Sequence, residues 1–288
     1  MNTTKTNLYS FAYLALIASL ITGCNLSEVG SNTTDDTLQK VQQEKLLRVA
    51  YINYPPSAYK DEKTGQMSGH FVDAIRDITD QISPQIKIEF VETNWADFTN
   101  VLNTKRADLS ISGTFTTIPR AKLVTFTRPL VYLGRGAVVR NNDNRWKSNM
   151  SLAQFDQDGI KVGVVNGEGS HEFVKATFKH QENIVVFDGQ DLSQSLAAVS
   201  SGQVDVGLSD SLETTKYTKT HSEVKDIYAD SPVDIMPIAW SVRHSDIVWK
   251  NFLDTAINML EVQGKLTLWE KQYGFMWTKP QFDLKPRF

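Results

Sequence analysis

Two stretches of the chain repeat the same alternation of strand and helix, and this repetition restricts the fold more than any other feature. In each stretch, short runs rich in Val, Ile and Leu alternate with segments whose apolar residues recur at helical spacing. This is the pattern of α/β units with parallel strands. Residues 105–113 align without a gap on residues 202–210, and the alignment pairs Asp108 with Asp205. We therefore expect two related α/β lobes.

The repeat also predicts where a ligand binds. In open α/β sheets, ligands bind beyond the carboxyl ends of the strands. Ser112 and Gly113 end a predicted strand in the first stretch, and Ser209 and Asp210 end the matching strand in the second. If the lobes face each other, these four residues line one cleft from both sides.

Two extended segments connect the expected lobes. Residues 136–140 lead out of the first lobe, and residues 236–243 lead back to it. The first lobe is predicted to contain residues 45–136 and 243–288, and the second residues 141–236. Hinge closure of two lobes around a ligand is a known class of protein motion.

The N-terminus has the pattern of an exported, lipid-anchored protein. An apolar run from Leu8 to Ile21 is too short for a stable membrane span, and it is followed by Gly23 and Cys24. This arrangement resembles the bacterial lipobox. We therefore expect a signal peptide at residues 1–23, a lipid on Cys24, and attachment to a membrane in the periplasm or at the cell surface. The alternative is an ordinary signal peptide with a cysteine nearby.

Composition narrows the remaining possibilities. Residues 24–44 are mostly polar and are expected to form a flexible tether. Cys24 is the one cysteine, so once it is lipidated no thiol remains for a disulfide, a metal or a nucleophile. The net charge of −3, with no basic patch, argues against a nucleic-acid partner. The five histidines show no paired metal spacing, and we expect no metal or cofactor.

A series of short motifs resembles the polar amino-acid solute-binding proteins of ABC importers, bacterial extracellular solute-binding protein family 3. The motifs are residues 47–49 with 54–56, 69–73, 107–113, 117–120 with 126–129, 162–170, 204–210 and 269–274. The resemblance implies a two-lobed periplasmic-binding-protein fold, type II-like, with two hinge strands. It further implies a binding protein, not an enzyme, that captures an amino acid or related small carboxylate for an ABC permease.

The resemblance also implies roles for the residues that hold the ligand's charged groups. Arg120 matches the family's arginine that grips an α-carboxylate, and a guanidinium fork suits that group. Taken alone, without the resemblance, Arg120 would be interpreted as a surface arginine on a helix. Ser112 and Gly113 would complete the carboxylate cradle. Asp210 matches the acceptor of the α-ammonium, although an Asp at a strand end also commonly caps the following helix.

Four further residues match ligand positions of the family. Gly169 and Ser170 begin a predicted helix, where free backbone N–H groups attract anions. Tyr54 and Trp95 match aromatic walls of the binding site, with plain core packing as the alternative.

Two residues depart from the family pattern. Tyr51 stands where the family often has Asp, and Phe115 stands where it often has Ser or Thr. Both changes predict a more apolar, aromatic pocket, in which arginine, lysine and histidine are poor ligands.

Two other functions remain open. Cyclohexadienyl dehydratases, which act on prephenate or arogenate, resemble these binding proteins and use a glutamate near this helix start as a general acid, and Glu172 stands at about that place. Acidic residues are also common in a first helical turn because they suit its dipole. The second alternative is a subunit that reports its ligand to a membrane receptor, which needs the same closing cleft.

Overall fold

The computed structural model describes residues 36–148 and 150–273. The expected signal peptide and Cys24 lie outside these residues. The strands are β1 (Leu46–Ile52), β2 (Tyr59–Lys60), β3 (Met67–Ser68), β4 (Lys87–Thr93), β5 (Leu109–Phe115), β6 (Thr125–Phe126), β7 (Val131–Arg140), β8 (Val162–Val165), β9 (Ile184–Phe187), β10 (Val206–Asp210), β11 (Val224–Asp226) and β12 (Val233–Val242). The α-helices are α1 (Thr37–Glu44), α2 (His70–Ile82), α3 (Phe98–Asn103), α4 (Ile118–Ala121), α5 (Gly169–Thr177), α6 (Ser193–Ser200), α7 (Ser211–Thr220), α8 (Ile247–Val262) and α9 (Lys265–Gln272).

The sheet contains the predicted repeat. Its strand order is β4-β1-β5-β12-β7-β10-β8-β9. β1 pairs in parallel with β4 and β5, and β8 pairs in parallel with β9 and β10. Each half therefore places its second, first and third strands in the same order, with β12 and β7 between them. We call the half around β1 lobe one and the half around β8 lobe two.

The aligned residues Asp108 and Asp205 make the same kind of hydrogen bond in each half. The amide of Arg48, in β1, donates to Oδ2 of Asp108 at 3.1 Å. The amide of Lys161, next to β8, donates to Oδ2 of Asp205 at 3.0 Å. Each carboxylate thus joins the start of its lobe's third strand to the start of the first strand. It also satisfies a backbone N–H group that has no partner in the sheet hydrogen bonds. The predicted repeat is confirmed at the level of these contacts.

Each lobe has its own apolar core. In lobe one, α8 buries Trp249, Leu253, Ile257 and Leu260, whose spacing matches one face of a helix. Burial of a side chain of this size contributes about 1.5–3 kcal/mol. The core of lobe two is built from its strands and is closed by aromatic residues: Trp146, Phe155, Phe178 and Tyr228.

Two strands link the lobes, as the sequence predicts. β7 and β12 are each ten residues long and pair with each other antiparallel. The register between them shifts between Val233 and Met236, and within that bulge Asp234 has φ +50°. The strands run through both halves without a break, so the lobe boundaries at residues 136, 141, 236 and 243 stay predictions.

The expected tether is wrong in its last part. Thr37–Glu44 forms helix α1, capped by the side chain of Asp36 and packed on lobe one. Val41 is fully buried there, and the ammonium of Lys40 lies 3.1 Å from Oδ1 of Asp108. Two apolar residues, Leu38 and Val41, are enough to dock this helix because lobe one offers a preformed apolar surface.

The structure offers no membrane-spanning helix within the residues that it describes. None of those helices is both long enough and apolar enough to cross a membrane.

Candidate ligand-binding cleft

The predicted site residues follow the carboxyl ends of parallel strands. Tyr54 and Trp95 come just after β1 and β4, and Phe115 ends β5, all in lobe one. In lobe two, Gly169 begins the helix that follows β8, and Asp210 ends β10. The lobes are in contact at this edge: an apolar cluster joins Ile52, Tyr54 and Trp95 of lobe one to Val165 and Leu192 of lobe two. The structure is therefore a closed form of the cleft.

Arg120 also joins the two lobes. The Oγ of Thr117 caps the short helix α4, which carries Arg120 into the interior, where its exposure is only 2%. Its Nη1 donates to the carbonyl of Phe115 at 2.9 Å, and its Nη2 donates to the carbonyl of Gly167 at 2.7 Å. Arg120 thus binds backbone of both lobes, and it is not a surface arginine.

The third guanidinium contact of Arg120 is a carboxylate from lobe two. Its Nε donates to Oε1 of Glu172 at 2.8 Å, and the hydroxyl of Thr117 donates to Oε2 of the same carboxylate at 2.8 Å. Burial lowers the pKa of the Arg120 guanidinium, and the nearby Glu172 opposes that shift. A buried cation at the lobe boundary therefore already holds a carboxylate.

Asp210 faces lobe one from the opposite side of the cleft. Its Oδ1 accepts the backbone amides of Leu212 and Glu213 and so caps α7. The hydroxyl of Tyr54 donates to it across the cleft at 2.8 Å from Oδ2. Burial raises the pKa of Asp210 to about 6. The helix-capping alternative is therefore present in the structure together with a contact across the cleft.

The N-terminus of α5 is capped by the side chain of Glu168. The amide of Ser170 donates to Oε2 of Glu168 at 2.6 Å, and the Oγ of Ser170 accepts from Nη1 of Arg135 at 2.9 Å. Burial raises the pKa of Glu168. A Cβ on Gly169 would lie 2.3 Å from Cδ2 of Phe115, so the turn approaches lobe one too closely for any side chain there.

The aromatic residues divide between the cleft and the core. Tyr54 and Trp95 meet edge to face with ring centroids 5.5 Å apart, and Nε1 of Trp95 donates to the carbonyl of Gln190 in lobe two. Tyr51 is placed elsewhere: its ring packs on Phe90 and its hydroxyl donates to Glu92. Tyr51 and Phe115 both belong to the apolar cluster of lobe one.

Ser112 and Gly113, the predicted carboxylate cradle of lobe one, lie close to other residues of the same lobe. The hydroxyl of Ser112 lies 2.8 Å from that of Ser110. Gly113 has φ +65°, and a Cβ there would lie 2.5 Å from Cε2 of Phe71. Their roles toward a ligand stay predictions, as do those of the other site residues.

Sequence reasoning missed one residue that ties the cleft to the hinge. Arg135, in β7, is almost fully buried; its Nη2 lies 2.8 Å from Oδ2 of Asp234 in β12. Its guanidinium carbon lies 5.6 Å from the ring centroid of Phe115 and 4.8 Å from that of Phe173. The charge in the middle of an apolar strand was the signal that could have identified it. No group of three His, Cys, Asp or Glu residues suited to a metal occurs among the described residues.

The comparisons with known proteins agree with this architecture. Residues 47–276 match the family model of bacterial extracellular solute-binding proteins, family 3. The chain is a member of this family. Because family 3 proteins are extracellular, the chain functions outside the cytoplasm.

Two curated relatives in family 3 differ in their described activity. The chain is 29% identical over 264 residues to a probable amino-acid ABC transporter-binding protein of Haemophilus influenzae, covering 91% of this chain and 94% of the relative. It is 23% identical over 254 residues to a cyclohexadienyl dehydratase of Pseudomonas aeruginosa, covering 87% and 91%. The family therefore contains binding proteins and at least one enzyme.

The fold is also that of solved two-lobed proteins. An ancestral amino acid-binding protein, described as a precursor of cyclohexadienyl dehydratase, superposes with a TM-score of 0.70 at 23% identity, covering 83% of this chain and 99% of the other. The predicted type II-like α/β fold is confirmed.

Proposed function

We propose that this chain is a solute-binding protein that captures an amino acid or related small carboxylate for an ABC-type importer. The observation that carries the proposal is the setting of Arg120, a guanidinium buried where the lobes meet and already bound to a carboxylate. Asp210, a buried carboxylate, faces the same cleft from lobe two. The name of the Haemophilus influenzae relative supports the same function.

Ligand capture is coupled to closure by contacts with both lobes. The ligand's carboxylate binds Arg120 on lobe one, and its ammonium is accepted by Asp210 on lobe two. A ligand that touches both lobes binds the closed state more tightly than the open state, so it shifts the population toward closure. The importer then recognises the closed form. Lipidation of Cys24 would hold the protein at the membrane.

A dehydratase is the second candidate, because Glu172 lies inside the cleft and one relative is a cyclohexadienyl dehydratase. Both oxygens of Glu172 accept hydrogen bonds, from Arg120 and from Thr117. In this arrangement Glu172 is an acceptor on both oxygens, and neither oxygen is directed at a leaving group as a donor. The observed closed form therefore favours binding over general-acid chemistry.

A thermal-shift screen tests this proposal. The ligand-free protein is melted with each of the twenty common amino acids, small carboxylates, prephenate and arogenate. A compound at about 100 times its Kd should add about 2.7 kcal/mol of stability and raise Tm by several degrees. We expect at least one amino acid to do so and to be recovered unchanged. Conversion of prephenate or arogenate to phenylpyruvate or phenylalanine would instead identify an enzyme.

A further inference from the structure

Glu172 binds lobe one in the way that a ligand's carboxylate is expected to bind. One of its oxygens accepts a hydrogen bond from Nε of Arg120 at 2.8 Å, and the other accepts one from the hydroxyl of Thr117 at 2.8 Å. A guanidinium and a hydroxyl on the two oxygens of one carboxylate make a strong, directional cradle. The cradle belongs to lobe one, whereas the carboxylate comes from helix α5 of lobe two.

The contact exists only while the lobes are closed. Glu172 lies in the first turn of α5, and the carbonyl of Gly167, just before that helix, accepts a second bond from Arg120. Opening the cleft separates α5 from α4 and breaks both bonds. The Arg120–Glu172 pair is therefore one of the contacts that hold the lobes together in the closed form.

Glu172 can also be displaced without burying an unpaired charge. The side chain of Glu172 is 26% exposed, whereas that of Arg120 is only 3% exposed. If another carboxylate takes Arg120, Glu172 can turn toward water, where the unpaired carboxylate is solvated. When the pair separates, the buried Arg120 needs a new carboxylate partner, because a buried charge that loses its partner is costly. The partly exposed Glu172 needs a new partner much less.

We propose that Glu172 is an internal competitor for the ligand's carboxylate and thereby sets which ligands the cleft accepts. This inference rests on the proposed function, because it takes Arg120 as the carboxylate-binding group. A tethered group competes at an effective concentration of about millimolar or higher. A simple carboxylate gains only the bond that Glu172 gives up. An amino acid also gains Asp210 for its ammonium, and this second contact lets it displace Glu172.

The experiment compares wild type with Glu172→Gln, using Glu182→Gln as the matched control. Glu182 is an exposed acid of the same lobe. Spin labels on cysteines replacing the exposed Lys122 in lobe one and Ala176 in lobe two report closure without any ligand, in full-length chains that carry Cys24→Ser. Loss of a charge-assisted bond should lower the ratio of closed to open form about tenfold.

Binding provides the second readout. Titration uses the amino acid that gives the largest thermal shift with wild type, and its analogue that lacks the amino group. We expect Glu172→Gln to bind the amino acid about tenfold more tightly and to bind the deaminated analogue measurably, where wild type does not. Glu182→Gln should match wild type in both readouts.

An unchanged distribution of label distances in Glu172→Gln, or an affinity equal to or weaker than that of wild type, would overturn the inference. If no amino acid binds wild type, the proposed function fails, and the label distances alone decide whether the Glu172 contact holds the ligand-free cleft closed.

Discussion

The hydroxyl of Tyr54 lies 2.8 Å from Oδ2 of Asp210, and this hydrogen bond joins the end of a lobe-one strand to the end of a lobe-two strand. Both residues are buried. Burial raises the pKa of the Tyr54 hydroxyl well above its ordinary value, and the negative charge of Asp210 adds to that shift. The tyrosine therefore keeps its proton and remains a hydrogen-bond donor. The Tyr54–Asp210 pair is a hydrogen bond that holds the two lobes together.

Tyr54→Phe should reduce the free energy of unfolding more than a tyrosine bond to a neutral partner does. Removing a donor from a buried charged acceptor costs about 1.5–3 kcal/mol, against about 0.5–1.5 kcal/mol for a neutral pair. Tyr217→Phe is the control, because its hydroxyl lies 3.1 Å from that of Ser200 within lobe two. Urea unfolding at pH 7 measures both. Equal losses would mean that the Tyr54 bond is not formed in solution without ligand.

Asp210→Asn should change how stability depends on pH. Burial raises the pKa of Asp210 to about 6, and the negative charge of Glu213 adds to that shift. Between its ordinary pKa and 6, the folded state binds a proton that the unfolded state does not, so this group's contribution to stability falls as pH rises through that window. Asn keeps a helix-capping oxygen and cannot titrate.

Denaturant unfolding of the ligand-free proteins at pH 4 and pH 7 measures this difference. Relative to wild type, the Asn variant should gain about 1–3 kcal/mol of stability between pH 4 and pH 7. A constant difference between the two proteins across that range would contradict the burial of Asp210 in the closed cleft.

Much of the fold could be predicted from the sequence, because the repeat carries local geometry as well as hydrophobic pattern. Lys105 and Gly202 occupy matching positions and have φ values of +58° and +78°. A lysine in that conformation is strained and glycine is not, yet the turn is the same. The aligned Asp108 and Asp205 explain why: each binds a neighbouring strand and fixes the turn whatever residue precedes it.

Gly167→Ala should prevent full closure of the cleft. A Cβ on Gly167 would lie 2.5 Å from the backbone nitrogen and Cα of Ala96 in lobe one. Gly202→Ala is a matched control, since Gly202 also has positive φ but has no atom within 4 Å of the added carbon. Both variants should lose about 1–2 kcal/mol from backbone strain.

Small-angle scattering of the ligand-free proteins separates these two effects. Gly167→Ala alone should show a larger radius of gyration than wild type, together with weaker ligand binding. The same radius for both alanine variants would argue that the lobes do not meet at Gly167.

Val41→Ala should test the docking of helix α1 on lobe one. Val41 is fully buried, so loss of two methyl groups should reduce the free energy of unfolding by about 1–3 kcal/mol. Gln43→Ala, at an exposed position of the same helix, should have almost no effect. Thermal unfolding of both variants gives the comparison. Equal stability of the two would restore the view that this segment is a tether.

The parts that sequence reasoning missed depend on tertiary contacts. Helix α1 has too few apolar residues to predict by itself, and lobe one supplies the surface that orders it. Arg135 was hidden in an apolar strand, and its partners Asp234 and Ser170 are distant in sequence. Glu168 caps α5 through the amide of Ser170, two residues away, and such a local contact can be predicted from sequence. The burial of Glu168 depends on the closure of lobe two against lobe one.

The central claim is that Arg120 binds the ligand's carboxylate, and titration calorimetry of Arg120 variants tests it most directly. Arg120→Ala removes the guanidinium, and Arg120→Lys keeps the charge but loses the fork. Arg128→Ala is the control, because Arg128 also lies in lobe one and binds Asn258 and Glu261 at the surface. We predict that wild type and Arg128→Ala bind the same amino acid with similar affinity, that Arg120→Lys binds it at least tenfold more weakly, and that Arg120→Ala does not bind it. Wild-type affinity in a folded Arg120→Ala protein would contradict the account.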